Sequence, residues 1–155
     1  MIKPTSFRLP QYIVDKVSRL MDILKSEKQK YEIASISVKD KQLRDSISWL
    51  AQESNQYICE LTSQLKSIGA VVAIDAEENN QSSSSAPPVF TETQLSSNVI
   101  QFCKDSEKMI ISAYRVVLNE PYLVEGLRTL IRQQLNGIMY AFLQLKLLYK
   151  LKSEI

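Results

Sequence analysis

Residues 121–150, PYLVEGLRTLIRQQLNGIMYAFLQLKLLYK, carry the clearest helical pattern in the chain. Apolar side chains recur at intervals that alternate between three and four residues, which places them on one face of an α-helix. Such a face is stable only when other elements cover it, so the segment predicts one helix of an all-α bundle. The face consists of Val124, Leu127, Ile131, Leu135, Ile138, Phe142, Leu145 and Tyr149.

Three further segments share this periodicity, so the sequence predicts four helices, α1 to α4. Ser37, with Asp40 three residues later, predicts the start of α2, and Pro121 predicts the start of α4. Few residues separate α1 from α2 or α3 from α4, and each of these pairs is therefore expected to form an antiparallel hairpin. The predicted helices cover about residues 10–36, 39–68, 92–118 and 121–151.

The connection between α2 and α3 has a different composition. Residues 70–90 include two glutamates, two asparagines, four consecutive serines and two prolines, which is typical of an extended linker. Fully extended, the segment would span roughly 70 Å, whereas a helix of about 28 residues is roughly 42 Å long. The sequence therefore predicts two antiparallel helical hairpins joined by a long crossover linker, and not an up-down-up-down bundle, which needs only a short turn there.

Length and composition exclude several classes of protein. The 155 residues fit a single domain, 1–155, whose core needs neither a disulfide nor a metal. The absence of histidine excludes Ser-His-Asp chemistry and imidazole-bound zinc or iron. A net charge of +2 with both signs scattered predicts no nucleic-acid partner. Because no secretory signal and no apolar run of about 18 residues is present, we expect a cytoplasmic protein without a membrane partner.

Short motifs on the predicted helices resemble those of a known superfamily. The motifs are Leu20-Met21 and KQKYEIA (28–34) in α1, Leu43, ESNQYICEL (53–61) and residues 65–69 in α2, Glu107 and Tyr114 in α3, and QLNGI (134–138) in α4. On these residues the chain resembles the ferritin-like four-helix bundles, most closely an uncharacterised bacterial family of small ferritin-like bundles. The resemblance implies a cytoplasmic bacterial protein of the same fold, associated with stress response.

Ferritin-like proteins often hold two metal ions between glutamates and histidines of the four helices. Three glutamates of this chain are expected beside the inward face of their helices, where they are candidate ligands of a divalent metal: Glu27, Glu53 and Glu107. The competing interpretation is a polar core layer in which an inward lysine pairs with these glutamates. Since an inward ammonium repels a dication, the sequence favours this layer. It comprises Lys28, Ser54, Ser106 and Gln134.

One tyrosine lies on the inward face of each predicted helix, and each hydroxyl is expected to bond a neighbouring polar group. These residues are Tyr31, Tyr57, Tyr114 and Tyr149. The hypothesised partners are Glu53 for Tyr57 and Glu107 for Tyr114. Cys103 is predicted to be buried and unreactive, and Cys59 to face outward.

A second apolar row lies on the opposite side of α4, widened by Met139 and Leu148: Tyr140, Leu143, Leu147 and Leu151. An exposed row of this size is typical of a partner surface, so we predict a homodimer through α4. The alternatives are a different protein partner, or cover by linker residues Val71, Val72, Ile74, Val89 and Phe90. Gly137 is expected on the outer half of α4, where close helix approach would compensate for its low helix propensity.

No catalytic set and no phosphate-binding glycine motif is recognisable, so no cofactor is expected. The sequence therefore predicts a non-catalytic structural or interaction protein. The alternative is a carboxylate-based protein that binds or stores a divalent metal, and a third interpretation is a small apolar ligand held between the helices.

Overall fold

The computed structural model of the chain describes residues 9–67 and 95–153. These residues form four α-helices and no strand: α1 Gln11–Ser37, α2 Lys41–Ser67, α3 Leu95–Leu118 and α4 Glu125–Ser153. The fold is thus an all-α four-helix bundle, as the sequence predicts. None of the described helices contains a stretch long and apolar enough to cross a membrane. The predicted linker at residues 70–90 lies outside the described residues, as do residues 92–94 at the predicted start of α3.

The start of α2 corrects the prediction for its N-cap. Ser37 is the last residue of α1, and Asp40 caps α2 because its Oδ2 accepts a hydrogen bond from the Leu43 backbone N–H at 3.0 Å. A carboxylate at this position satisfies a backbone N–H that the first helical turn leaves without a partner. The two helices are therefore joined by only three residues, 38–40.

The start of α4 is also later than predicted, at Glu125 and not at Pro121. Pro121 belongs to the turn that follows α3, and the Leu123 backbone N–H donates to the Glu120 carbonyl at 3.3 Å. The Arg128 guanidinium donates to the carbonyls of Leu118 and Glu120 at 2.8 Å each. A cation from the first turn of α4 therefore satisfies carbonyls at the end of α3.

The buried residues follow the predicted helical faces. The side chains that recur at three- and four-residue intervals are buried in α2 from Leu43 to Leu65 and in α3 from Val99 to Val117, and so is the predicted α4 face from Leu127 to Tyr149. Ile13, Val17, Leu20, Leu24 and Tyr31 form the buried face of α1. The helical periodicity of the sequence is thus the pattern of its core.

Each helix packs against two others. Within the described residues, α1 and α4 each contact α2 and α3, whereas α1 does not contact α4 and α2 does not contact α3. In the α1–α3, α2–α4 and α3–α4 pairs, residue numbers rise along one helix as they fall along the other. For α1 and α3, the contacts are Lys16–Glu120 and Tyr31–Ser106. For α2 and α4, they are Glu60–Gln134 and Gln64–Gly126. For α3 and α4, they are Glu107–Lys146 and Tyr114–Gln134. Asp45 and Gln144 also line one groove between α2 and α4.

Candidate functional site

The three candidate metal ligands do not converge in the bundle. Each carboxylate is held by a different neighbour: Glu27 by Lys30 at 3.2 Å, Glu53 by the Tyr57 hydroxyl at 2.9 Å, and Glu107 by Lys146 at 2.9 Å. Across residues 9–67 and 95–153, no group of three or more cysteines, aspartates or glutamates is placed to hold a metal ion. The carboxylates therefore act as partners of individual protein groups and do not form a common site.

Lys28 does not face the core, and its predicted pairing with these glutamates is wrong. Its side chain is 27% exposed and forms an ion pair with Glu32, one turn later on α1, at 2.9 Å. A lysine at the margin of a core can cover apolar surface with its methylenes while its ammonium stays in water. The buried acidic residue on α1 is instead the neighbouring Glu27, whose side chain is 3% exposed.

The other three members of the predicted polar layer are buried: Ser54, Ser106 and Gln134. Gln134 connects three helices, because its Oε1 accepts a hydrogen bond from the Tyr114 hydroxyl at 2.8 Å. Its Nε2 donates to Glu60 Oε1 at 2.9 Å and to the Tyr57 carbonyl at 3.3 Å. The hydroxyl of Ser106 pairs with that of Tyr31. The polar core of the bundle is therefore built from tyrosine–amide and tyrosine–hydroxyl contacts.

The tyrosine hydroxyls have defined partners. The predicted Tyr57–Glu53 pair is present, but Tyr114 bonds Gln134 and not Glu107, which is held by Lys146 about two turns away along α3. Burial raises the pKa of all four inward tyrosines. In Tyr31, the hydrogen bond with Ser106 lowers the pKa and opposes this effect. Each phenol therefore keeps its proton and serves as a neutral hydrogen-bonding group.

The contact between Tyr57 and Gly137 determines how α2 packs on α4. A Cβ at position 137 would overlap with the Tyr57 hydroxyl and lie 3.6 Å from Glu53 Oε2. Gly137 therefore faces α2, at the side of α4 between its buried face and its outer row. The close helix approach expected of this glycine is present at this contact.

Glu53 combines burial with an unpartnered oxygen. Its Oε2 accepts the Tyr57 hydrogen bond, while its buried Oε1 has no hydrogen-bond partner within the described residues. Burial raises the pKa of Glu53, and the Tyr57 hydrogen bond opposes this effect. This carboxyl group therefore takes up a proton more readily in the folded protein than in the unfolded chain.

The two cysteines are free thiols in the predicted environments. Cys59 is exposed on α2, and Cys103 is buried, with its Sγ 3.1 Å from the Tyr149 hydroxyl. Burial raises the pKa of Cys103 to about 11, against the effect of the Tyr149 hydrogen bond. Its nucleophilic thiolate form is thus disfavoured at neutral pH.

A part-buried ion pair at one end of the bundle is absent from the sequence-based prediction. Glu120 accepts hydrogen bonds from Lys16 at 3.0 Å and from the Tyr12 hydroxyl at 3.2 Å. The Lys16 hydrogen bond is the main cause that lowers the pKa of Glu120. The pattern Asn119-Glu120-Pro121 indicates the end of a helix but carries no signal that the glutamate reaches back to α1, more than 100 positions earlier.

The outer face of α4 consists of four apolar side chains exposed in the single chain: Met139, Tyr140, Leu143 and Leu147. Tyr140 is 62% exposed, Leu143 51% and Leu147 52%. The side chain of Leu151, predicted to extend this row, lies outside the described residues. A groove of about 230 Å³ runs beside the face, between α4 and the exposed Trp49 of α2. A contiguous apolar surface of this kind is typical of a protein-binding site.

No protein-family model matches the chain, and no curated protein matches it either. The ferritin-like resemblance of its motifs therefore stays a prediction.

Gly137→Ala tests the contact between α2 and α4. We expect the substitution to lower the free energy of unfolding by about 1–3 kcal/mol, because the new Cβ overlaps with the Tyr57 hydroxyl. In a Tyr57→Phe background the hydroxyl is absent, and the same substitution should be better tolerated, since alanine favours a helix by about 1 kcal/mol over glycine. Urea unfolding of the four proteins measures the coupling, and equal effects in both backgrounds would contradict this account.

The raised pKa of Glu53 predicts a pH dependence of stability. At pH values above 4.5, the ordinary pKa of a glutamate, the folded protein holds the Glu53 proton more tightly than the unfolded chain does. The free energy of unfolding of the wild type should therefore rise, relative to that of Glu53→Gln, as the pH falls from about 7 towards 5. Urea titrations at several pH values measure this difference. Glu125→Gln, at an exposed position of α4, is the control, and equal pH profiles of the wild type and Glu53→Gln would contradict this account.

Proposed function

We propose that this chain is a non-catalytic four-helix bundle that serves as a structural or protein-interaction module and pairs with a second copy through the outer face of α4. The exposure of Tyr140, Leu143 and Leu147 carries the proposal. Apolar surface contributes roughly 25 cal/mol per Å² when it leaves water, and a row of large side chains on one helix face is an effective place for a partner to bury it.

The non-catalytic role is supported by what the polar groups do. The polar groups of the core bond other side chains of the core, as in the pairs Tyr114–Gln134 and Tyr31–Ser106. The buried thiol of Cys103 has a raised pKa. General acid–base and nucleophilic chemistry need a group poised near neutral pH beside a space for substrate. The chain has no histidine to fill this role.

The proposal includes the ferritin-like connectivity, in which the hairpins α1–α2 and α3–α4 are joined by a crossover linker at residues 70–90. The contacts between α2 and α4 and those between α3 and α4 indicate that α2 and α3 both run opposite to α4. Glu60–Gln134 and Gln64–Gly126 indicate this for α2. Tyr114–Gln134 and Glu107–Lys146 indicate it for α3. Parallel α2 and α3 support a connection that begins at one end of the bundle and finishes at the other. A cytoplasmic location and an association with stress response complete the proposal, on the motif resemblance alone.

Metal analysis separates this proposal from the alternative of a divalent-metal protein. Because Glu27, Glu53 and Glu107 have separate partners, we expect protein purified without chelator to contain no stoichiometric manganese or iron. Added manganese should leave the melting temperature unchanged. One bound ion per chain, or a large rise in melting temperature that is lost in Glu53→Gln, would favour the metal protein.

Light scattering tests the pairing. We expect a dimeric wild type and a monomeric Leu143→Glu, Leu147→Glu variant, because two buried carboxylates per chain would be desolvated in the interface. The matched control is Met109→Glu, Val116→Glu, which places the same charges on exposed apolar positions of α3. The control should remain dimeric. A monomeric wild type, or a dimer that survives in the α4 variant, would overturn the pairing through α4.

A further inference from the structure

The outer face of α4 has a basic edge on the side of α3. At about 100° per residue, Arg132, Lys146 and Lys150 lie within roughly 40° of one another around α4. The ion pair of Lys146 with Glu107 shows that this edge is next to α3. All three side chains are exposed, and α3 adds the exposed Lys104 and Lys108.

The opposite edge, on the side of α2, is acidic. Asp45 lines the groove with Gln144, Glu53 lies beside Gly137, and Glu60 bonds Gln134. Asp45 is the most accessible of the three acids, with a side chain that is 60% exposed and an ion pair to Lys41 one turn earlier. The residues that α4 itself contributes to this edge, Gln133 and Gln144, are uncharged.

Two-fold symmetry determines which edges meet when two copies pair through this face. If the axis is perpendicular to α4, the two α4 helices are antiparallel, and each edge lies against the same edge of the partner. Basic then meets basic, and acidic meets acidic. If the axis runs along α4, the helices are parallel, and the basic edge of each copy lies against the acidic edge of the other. The charges are therefore self-complementary in the parallel arrangement only.

The heights of the charges along the bundle agree with this arrangement. Glu60 contacts Gln134, so it lies within one turn of the level of Arg132, and Asp45 lines the groove with Leu145, next to the level of Lys146. In a parallel pair, residues of the same number lie at the same height. Arg132 would thus face the partner subunit's Glu60, and Lys146 would face the partner subunit's Asp45.

We infer that the second copy binds the outer face of α4 in a parallel, two-fold arrangement, with the basic edge of each copy against the acidic edge of the other. This inference rests on the proposed pairing through α4 and adds its orientation and the charges that select it. In this arrangement Tyr140 and Leu147 lie closest to the two-fold axis, because they point most directly away from the core. Each of them contacts the same residue of the second copy.

Cysteine cross-linking tests the orientation. In a Cys59→Ser background, where the buried Cys103 is the only native thiol, Tyr140→Cys and Leu147→Cys are made as separate variants. Parallel pairing predicts that each variant alone forms a disulfide-linked dimer with oxidised glutathione, because equal positions lie within reach across the axis. Antiparallel pairing cannot link both variants on their own, because an axis perpendicular to α4 brings at most one of the two positions against itself. The background protein without an added cysteine should give no linked dimer.

Charge reversal tests the edges. Arg132→Glu should weaken the dimer roughly tenfold in sedimentation or dilution experiments, because two symmetry-related attractions become repulsions. Arg19→Glu, at an exposed position of α1, should leave the dimer unchanged. Circular dichroism confirms that each variant is folded.

The outcomes are distinguishable. A monomeric wild type overturns the pairing itself, and the orientation with it. A dimer that is lost in Leu143→Glu, Leu147→Glu but does not self-link in both cysteine variants preserves the pairing and overturns the parallel arrangement. A dimer that Arg132→Glu does not weaken overturns the role of the charged edges.

Discussion

The amide of Gln134 is the interaction on which the middle of the bundle depends. It accepts a hydrogen bond from Tyr114 on α3 and donates to a carboxylate and a backbone carbonyl on α2, so one α4 side chain fixes the register of three helices. An apolar core tolerates small shifts of one helix along another, whereas a buried amide loses its partners when a helix shifts. The apolar faces bring the helices together, and Gln134 restricts them to one relative height.

The same requirement explains why the glutamates of this bundle do not form a common centre. A buried carboxylate needs a hydrogen-bond donor or a cation, and here each finds one nearby, Tyr57 for Glu53 and Lys30 for Glu27. Once the carboxylates are separated in this way, each serves a neighbouring side chain, and the described glutamates share no common centre. On the surface, the apolar outer face of α4 is the distinctive feature.

The sequence was a reliable guide to the helical faces and a poor guide to polar contacts. Periodicity identifies Leu127 to Tyr149 as one buried face because burial of apolar side chains determines that pattern directly. Lys28 was placed wrongly because its position lies at the margin of the buried face, from which its long side chain reaches water. The partner of Tyr114 was missed because it depends on the relative height of two helices, which periodicity within one helix does not report.

The contacts of Glu120 also constrain the order in which the fold is completed. Lys16 and Glu120 are separated by 104 positions, so the beginning of α1 obtains its partner only after the α3–α4 turn has been synthesised. Until then, α1 and α2 leave uncovered the apolar side chains that α3 and α4 bury in the complete chain. During synthesis, the first half of the protein is therefore the part that is exposed to unwanted association, and packing of α3 and α4 ends that exposure.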